Sequence, residues 1–133
     1  MTPPPLTRIL VVEDEADIQA VARLALQALG GFVLEICSSG SEAIEKVPSF
    51  ASELILLDVM MPGIDGPSTL KALREMPQTA ATPVIFMTAK VQPNEITHYK
   101  AIGALDVIAK PFNPMTLSAT INHIWAQYHG NFT

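Results

Sequence analysis

Apolar positions in this chain fall into short continuous runs, and these alternate with stretches of helical spacing. Ile9-Leu10-Val11-Val12 predicts a first strand ending at Glu13-Asp14. From there to about Leu29, residues Ile18, Val21, Ala22, Ala25 and Leu29 share one helix face, and Gly30-Gly31 stops the helix. Phe32 to Cys37 is β-rich and predicts a second strand. Ser39 and Glu42 have capping-box spacing for a short helix that turns Ala43, Ile44 and Val47 inward and ends at Pro48. Leu54-Ile55-Leu56-Leu57 predicts a third strand buried on both faces, with Asp58 as its last position and turn residues Pro62, Gly63 and Gly66 beyond.

The alternation continues to the C-terminus. A third helix from Gly66 to about Glu75 turns Leu70 and Leu73 inward, and Pro83 to Met87 predicts a fourth strand ending in Thr88-Ala89-Lys90. The helix from about Pro93 to Ile102 has only a thin apolar stripe. Leu105 to Ala109 is the fifth strand, followed by Lys110-Pro111-Phe112. Asn113 is placed to cap a last helix with Pro114 at its first position, and Leu117, Ile121, Ile124 and Tyr128 form its inward stripe. Five strand–helix units in strict alternation imply one α/β domain: a doubly wound, five-stranded parallel sheet with helices on both faces. Alternation alone leaves the strand order open among nucleotide-binding and flavodoxin-like folds. The expected organisation is an extended Pro-rich arm at 1–6, the domain at 7–128 and a short tail at 129–133.

Composition narrows the class. Of 133 residues, 49% are hydrophobic and only 16% charged, as buried parallel strands require. The net charge of −5, without any block of Lys or Arg, speaks against nucleic acid or an anionic membrane as a partner. The single cysteine, Cys37, sits in a predicted strand and reads as a small buried hydrophobe. No apolar run is long enough to span a bilayer, and Met1 to Pro5 lacks the features of a signal peptide. A cytoplasmic, reduced setting is the expectation.

Four of the five predicted strands end in groups capable of chemistry: Glu13-Asp14, Asp58, Thr88 and Lys110. The second ends in ordinary turn residues, Ser38-Ser39. In the order 2-1-3-4-5 the four reactive ends are neighbours, at the sheet edge where open α/β sheets bind ligands. Taken singly, Thr88 is a strand-end hydroxyl, Lys110 a solvated lysine and the acidic pair a complement to a helix dipole. Together they make sense as one site. Three carboxylates at one rim repel unless a hard divalent cation such as Mg²⁺ sits among them. An ionised Asp58 can attack phosphorus, and Mg²⁺, Lys110 and the Thr88 hydroxyl can neutralise and hold the transferred group. Acidic residues also gather at Glu15, Asp17 and Asp65, as a solvated face or as part of a cation site.

These residues resemble the receiver domain of two-component response regulators, of the chemotaxis-regulator type, over about residues 7–128. The resemblance rests on Val11-Val12-Glu13-Asp14-Glu15, on Leu56 through Gly66, on Met87-Thr88-Ala89-Lys90 and on Ala109-Lys110-Pro111-Phe112. It implies the flavodoxin-like order 2-1-3-4-5 and Asp58 as phosphoacceptor. It further implies Mg²⁺ held by Glu13, Asp14, Asp58 and the backbone carbonyl of Met60, with Glu13 acting through water. Thr88 and Lys110 would bind the phosphoryl group, and Lys110-Pro111 would be a cis peptide. The implied partners are a sensor histidine kinase or histidine phosphotransfer protein and a downstream protein target. One position departs from the pattern: where receivers usually carry Tyr or Phe, three residues before the lysine, this chain has Val107.

The expectation is therefore a stand-alone receiver rather than an enzyme. His98, His123 and His129 lie away from the predicted site. A receiver that binds partners without phosphorylation is an alternative that the intact acidic set, Thr88 and Lys110 oppose. A Mg²⁺-dependent phosphohydrolase with an Asp nucleophile is another; in the comparable enzymes a second Asp follows two residues later, where this chain has Met60. No Gly-rich loop follows the first strand, which argues against a nucleotide-binding protein.

Overall fold

The computed structural model describes residues 4–130. The elements run β1 (Arg8–Val12), α1 (Ala16–Ala22) continued by a π-helical segment (Arg23–Leu29), β2 (Val33–Cys37), α2 (Gly40–Lys46) and β3 (Leu54–Asp58). They go on with α3 (Gly66–Arg74), β4 (Val84–Thr88), α4 (Pro93–Ala101), β5 (Asp106–Ala109) and α5 (Leu117–Gly130). The sheet is parallel throughout, in the order β2-β1-β3-β4-β5. This is the flavodoxin-like arrangement, and it places β1, β3, β4 and β5 side by side.

Strand alternation sends side chains to two cores. Ile9, Val11, Leu54, Leu56, Ile85 and Met87 face α5, the π-helical segment and the end of α1. Leu10, Val12, Ile55, Leu57, Val84 and Phe86 face α2, α3 and α4. Because β3 is wholly buried on both faces, its direction is set by packing from both layers, and Asp58 is held at its end.

Helical caps follow the local chemistry. The Ser39 hydroxyl accepts from the Glu42 N–H at 3.0 Å, and the Glu42 carboxylate accepts in turn from the Ser38 N–H. The Asp65 carboxylate accepts from the Ser68 N–H at 2.8 Å, so this acidic residue caps α3. Glu15 and Asp17 stand exposed near the start of α1.

Three expectations need correction. The first helix does not keep α-helical spacing to its end, because past Ala22 it widens to i→i+5 bonding. Ala25 stays buried as the spacing predicts and Leu26 beside it is fully buried, but Leu29 is 53% exposed. The cause lies on α5: the Ser118 hydroxyl donates to the Ala25 carbonyl at 2.7 Å, an acceptor that an α-helix would give to the Leu29 N–H. Second, α5 turns Trp125 inward rather than Tyr128, which is 44% exposed; the larger indole has a donor that the Pro4 carbonyl satisfies at 2.7 Å. Third, Pro114 is not the first helical position: α5 runs from Leu117, and before it the Asn113 side chain accepts from the Met115 N–H while its carbonyl accepts from the Leu117 N–H at 3.0 Å. Of the 1–6 arm, residues 1–3 lie outside the described residues, and Leu6 is buried in the core with Trp125. Of the tail, Gly130 completes α5, and residues 131–133 lie outside the described residues.

Ser118→Ala should leave the Ala25 carbonyl without this donor, at a cost of about 1 kcal/mol and a melting temperature lower by about 4 °C. An unchanged melting temperature would show that the hydroxyl does not hold the widened turn.

Candidate functional site

At the carboxyl edge of the sheet, β1, β3 and β5 deliver three groups that meet. The Lys110 Nζ donates to Glu13 Oε1 at 2.9 Å and to Asp58 Oδ1 at 3.1 Å, although these residues are 97 and 52 positions away in sequence. All three are largely withdrawn from solvent, with side-chain exposures of 13% for Lys110, 0% for Glu13 and 3% for Asp58. Asp14 completes the group: one carboxylate oxygen each from Glu13, Asp14 and Asp58 fall within 4.8 Å of one another.

Each side chain is fixed from behind. The Glu13 Oε2 accepts from the Glu15 N–H at 3.1 Å, and the Gln19 amide donates to the Glu13 carbonyl at 2.6 Å. Gln19 also reaches the Ser38 hydroxyl, which ties α1 to the end of β2. Thr88 is buried at the end of β4, and its hydroxyl accepts from the Lys90 N–H at 3.0 Å. The Lys110 N–H donates to the Thr88 carbonyl at 2.9 Å, which sets the start of the last loop against β4. The Lys110–Pro111 peptide is cis. Met60 stands two residues past Asp58 with its side chain 67% exposed, apart from the buried cluster.

The electrostatics follow from burial. Desolvation raises the Asp58 carboxyl from 3.8 to about 6, with the Lys110 hydrogen bond opposing that rise and the Glu13 charge adding to it. Burial alone lowers the Lys110 ammonium, but its bonds to Glu13 and Asp58 outweigh this and leave it raised. One ammonium cannot balance three carboxylates, and two buried acceptors, Asp14 Oδ1 and Asp58 Oδ2, have no hydrogen-bond partner in the protein. A hard divalent cation with oxygen ligands fits that donor set and that excess charge.

Two supporting residues were not singled out by the sequence pattern. Gln19 is a polar residue on the inner flank of α1, a placement with no motif. Gly66 read only as a turn residue, yet a Cβ there would lie 2.5 Å from the Asp58 carbonyl oxygen. Its N–H donates to the Val59 carbonyl at 2.8 Å, which seats the start of α3 directly on the loop leaving Asp58.

The family model for the response regulator receiver domain matches residues 9–122. The chain belongs to that family. Among solved structures, this receiver superimposes on the chemotaxis protein CheY4 of Vibrio cholerae with a TM-score of 0.82 at 32% identity, covering 90% of this chain and 99% of that one. It is similar also to a response regulator from Chloroflexus aurantiacus, with a TM-score of 0.81 and 29% identity over 92% of this chain and 99% of the other. Among curated proteins it is 40% identical over 109 residues to the transcriptional regulatory protein ResD of Bacillus subtilis, covering 81% of this chain and 43% of that protein. It is 36% identical over 124 residues to the transcriptional regulatory protein CpxR of Escherichia coli, covering 93% of this chain and 51% of the other. The receiver thus spans about half the length of the curated regulators it matches. Among the described residues no helix is long and apolar enough to cross a membrane.

Proposed function

We propose that this receiver takes a phosphoryl group onto Asp58 from a phosphohistidine donor, a sensor histidine kinase or a histidine phosphotransfer protein, and so switches its contacts with a downstream protein. One observation carries the reading: a buried Asp58 oxygen without a hydrogen-bond partner sits beside Lys110 and within a three-carboxylate cluster. Glu13, Asp14, Asp58 and the Met60 backbone carbonyl would hold Mg²⁺, Glu13 through water. When bound, that ion neutralises the acidic cluster and the charge on the transferring group.

The remaining work falls to the protein. Asp58 attacks phosphorus as the donor's P–N bond breaks, and the electron pair stays on the imidazole, which takes up a proton. Products are neutral histidine and an aspartyl-phosphate. Lys110, already bonded to Asp58, moves its contact to the new phosphoryl oxygens, and the Thr88 hydroxyl donates to another. Hydrolysis returns Asp58 to its carboxylate, so the receiver acts on no substrate other than its own phosphorylated state.

Acetyl phosphate with Mg²⁺ should add one phosphoryl group, seen as a single mass increment. Chelator should suppress it, and Asp58→Asn should show none. Undiminished labelling in chelator, or equal labelling of the Asn variant, would overturn the reading.

A further inference from the structure

Two carboxylates of the acidic cluster are neighbours in sequence, and that poses a geometric problem. Successive side chains of a strand point to opposite faces, so Glu13 and Asp14 cannot both turn to one point while β1 continues. Yet one oxygen of each lies within 4.8 Å of the other and of an Asp58 oxygen. The chain therefore leaves strand geometry at the peptide that joins them, whose oxygen is the Glu13 carbonyl. A peptide is a rigid plane, so whatever holds that oxygen also fixes the direction in which Asp14 departs.

The sheet does not hold it. Paired register ends at Val12 on both sides, and Glu13 keeps one further ladder bond, from its N–H to the Cys37 carbonyl at 2.9 Å. The Glu13 carbonyl accepts instead from the Gln19 side-chain amide at 2.6 Å. That amide is anchored from two sides. The Gln19 backbone N–H donates to the Glu15 carbonyl at 3.0 Å, in the first turn of α1. Its side-chain nitrogen also donates to the Ser38 hydroxyl at 3.2 Å, past the end of β2. The Glu13 carboxylate is oriented independently, by Lys110 on one oxygen and the Glu15 N–H on the other. Nothing comparable orients Asp14: its Oδ1 is buried without a hydrogen-bond partner, so its aim rests on the backbone behind it.

We propose that Gln19 is a positioning residue for the divalent cation. By holding the Glu13–Asp14 peptide it aims the Asp14 carboxylate at the ion shared with Asp58, and it supplies no ligand itself. Groups that orient ligands from behind govern metal affinity strongly, since a ligand free to turn away must be re-ordered each time the ion binds. Ser38 acts one step further back, by keeping the Gln19 amide in place. This inference rests on the cluster holding Mg²⁺, and not on Asp58 being phosphorylated.

Mn²⁺ is the probe, added to the full chain, because it takes the same oxygen ligands and its free-ion paramagnetic resonance signal falls on binding. Mg²⁺ should compete it off. Gln19→Met keeps the length of the side chain and adds no charge but cannot donate, and it should weaken Mn²⁺ and Mg²⁺ roughly tenfold. Ser38→Ala should weaken them less, and should add nothing in the Gln19→Met background. Ser118→Ala, which acts far from the cluster, should lower the melting temperature and leave both affinities unchanged. In acetyl phosphate labelling, Gln19→Met should raise the half-saturating Mg²⁺ roughly tenfold while the rate at saturating Mg²⁺ stays within about twofold.

Wild-type affinity in Gln19→Met overturns the proposal, even if that variant melts lower. So does a matching loss of affinity in Ser118→Ala, since affinity then merely follows stability. An equal loss from Ser38→Ala with and without Gln19 overturns the relay from Ser38. A lower saturating rate with unmoved half-saturation overturns the role toward the cation, since Gln19 then acts on Asp58 or Lys110. A wild type that binds neither ion removes the Mg²⁺ reading and this inference together. Normal binding without labelling of Asp58 removes the phosphoacceptor reading alone.

Discussion

Asp58→Asn is expected to stabilise the protein in chelator at neutral pH while it abolishes phosphoryl transfer. The sign comes from the raised carboxyl. Unfolded, Asp58 ionises near 3.8; folded, near 6. Between those values the folded chain holds a proton that the unfolded chain has released, so stability falls as pH rises from about 4 to about 6. Above that window the protein carries the full penalty, on the order of 2–3 kcal/mol. Asparagine keeps the shape and carries no charge, so its advantage should be small at pH 4 and complete by pH 7. Lys110 then retains Glu13 as partner and is not left alone. Denaturant melts of both proteins in chelator, from pH 4 to 8, check this. Mg²⁺ should narrow the gap by stabilising the wild type more. A variant less stable than wild type at pH 7 would mean that the Lys110 pair outweighs burial and repulsion.

What could be read from sequence, and what could not, separates along the distance between the residues responsible. The strands were legible because four apolar residues in a row, as in Leu54–Leu57, need no information from elsewhere. The acidic cluster was legible because each member stands at a strand end, and the order β2-β1-β3-β4-β5 brings those ends together. The widened turn after Ala22 was not legible, since its cause, Ser118, lies 93 residues from Ala25. Trp125 displaced Tyr128 from the buried stripe through a carbonyl 121 residues away, that of Pro4. Tyr99 sits on a helix whose stripe is too thin to orient it from sequence. Its burial and its contact with Phe86 show which way it faces. Gly66 looked like a turn residue because a pattern of residue types does not record how near another backbone comes.

Gly66→Ala is expected to destabilise the fold by about 2 kcal/mol and to slow labelling of Asp58 roughly tenfold. Helix propensity alone predicts the opposite, since alanine is favoured over glycine within a helix by up to about 1 kcal/mol. Space decides otherwise. The added Cβ would lie 2.5 Å from the Asp58 carbonyl oxygen and 2.8 Å from the Val59 Cα. Both are main-chain atoms of a strand end packed on two faces, and neither can rotate away. Either α3 moves outward, losing the Gly66 N–H bond to the Val59 carbonyl, or the end of β3 shifts and carries Asp58 from Lys110. Gly63→Ala serves as the control. Gly63 has φ +81° but open space around it, so alanine there costs about 1 kcal/mol of left-handed strain with no push on Asp58. Melting temperature and acetyl phosphate labelling rate, measured on both variants, separate the two effects. If Gly66→Ala labels as fast as Gly63→Ala, the close approach of α3 does not position the carboxylate.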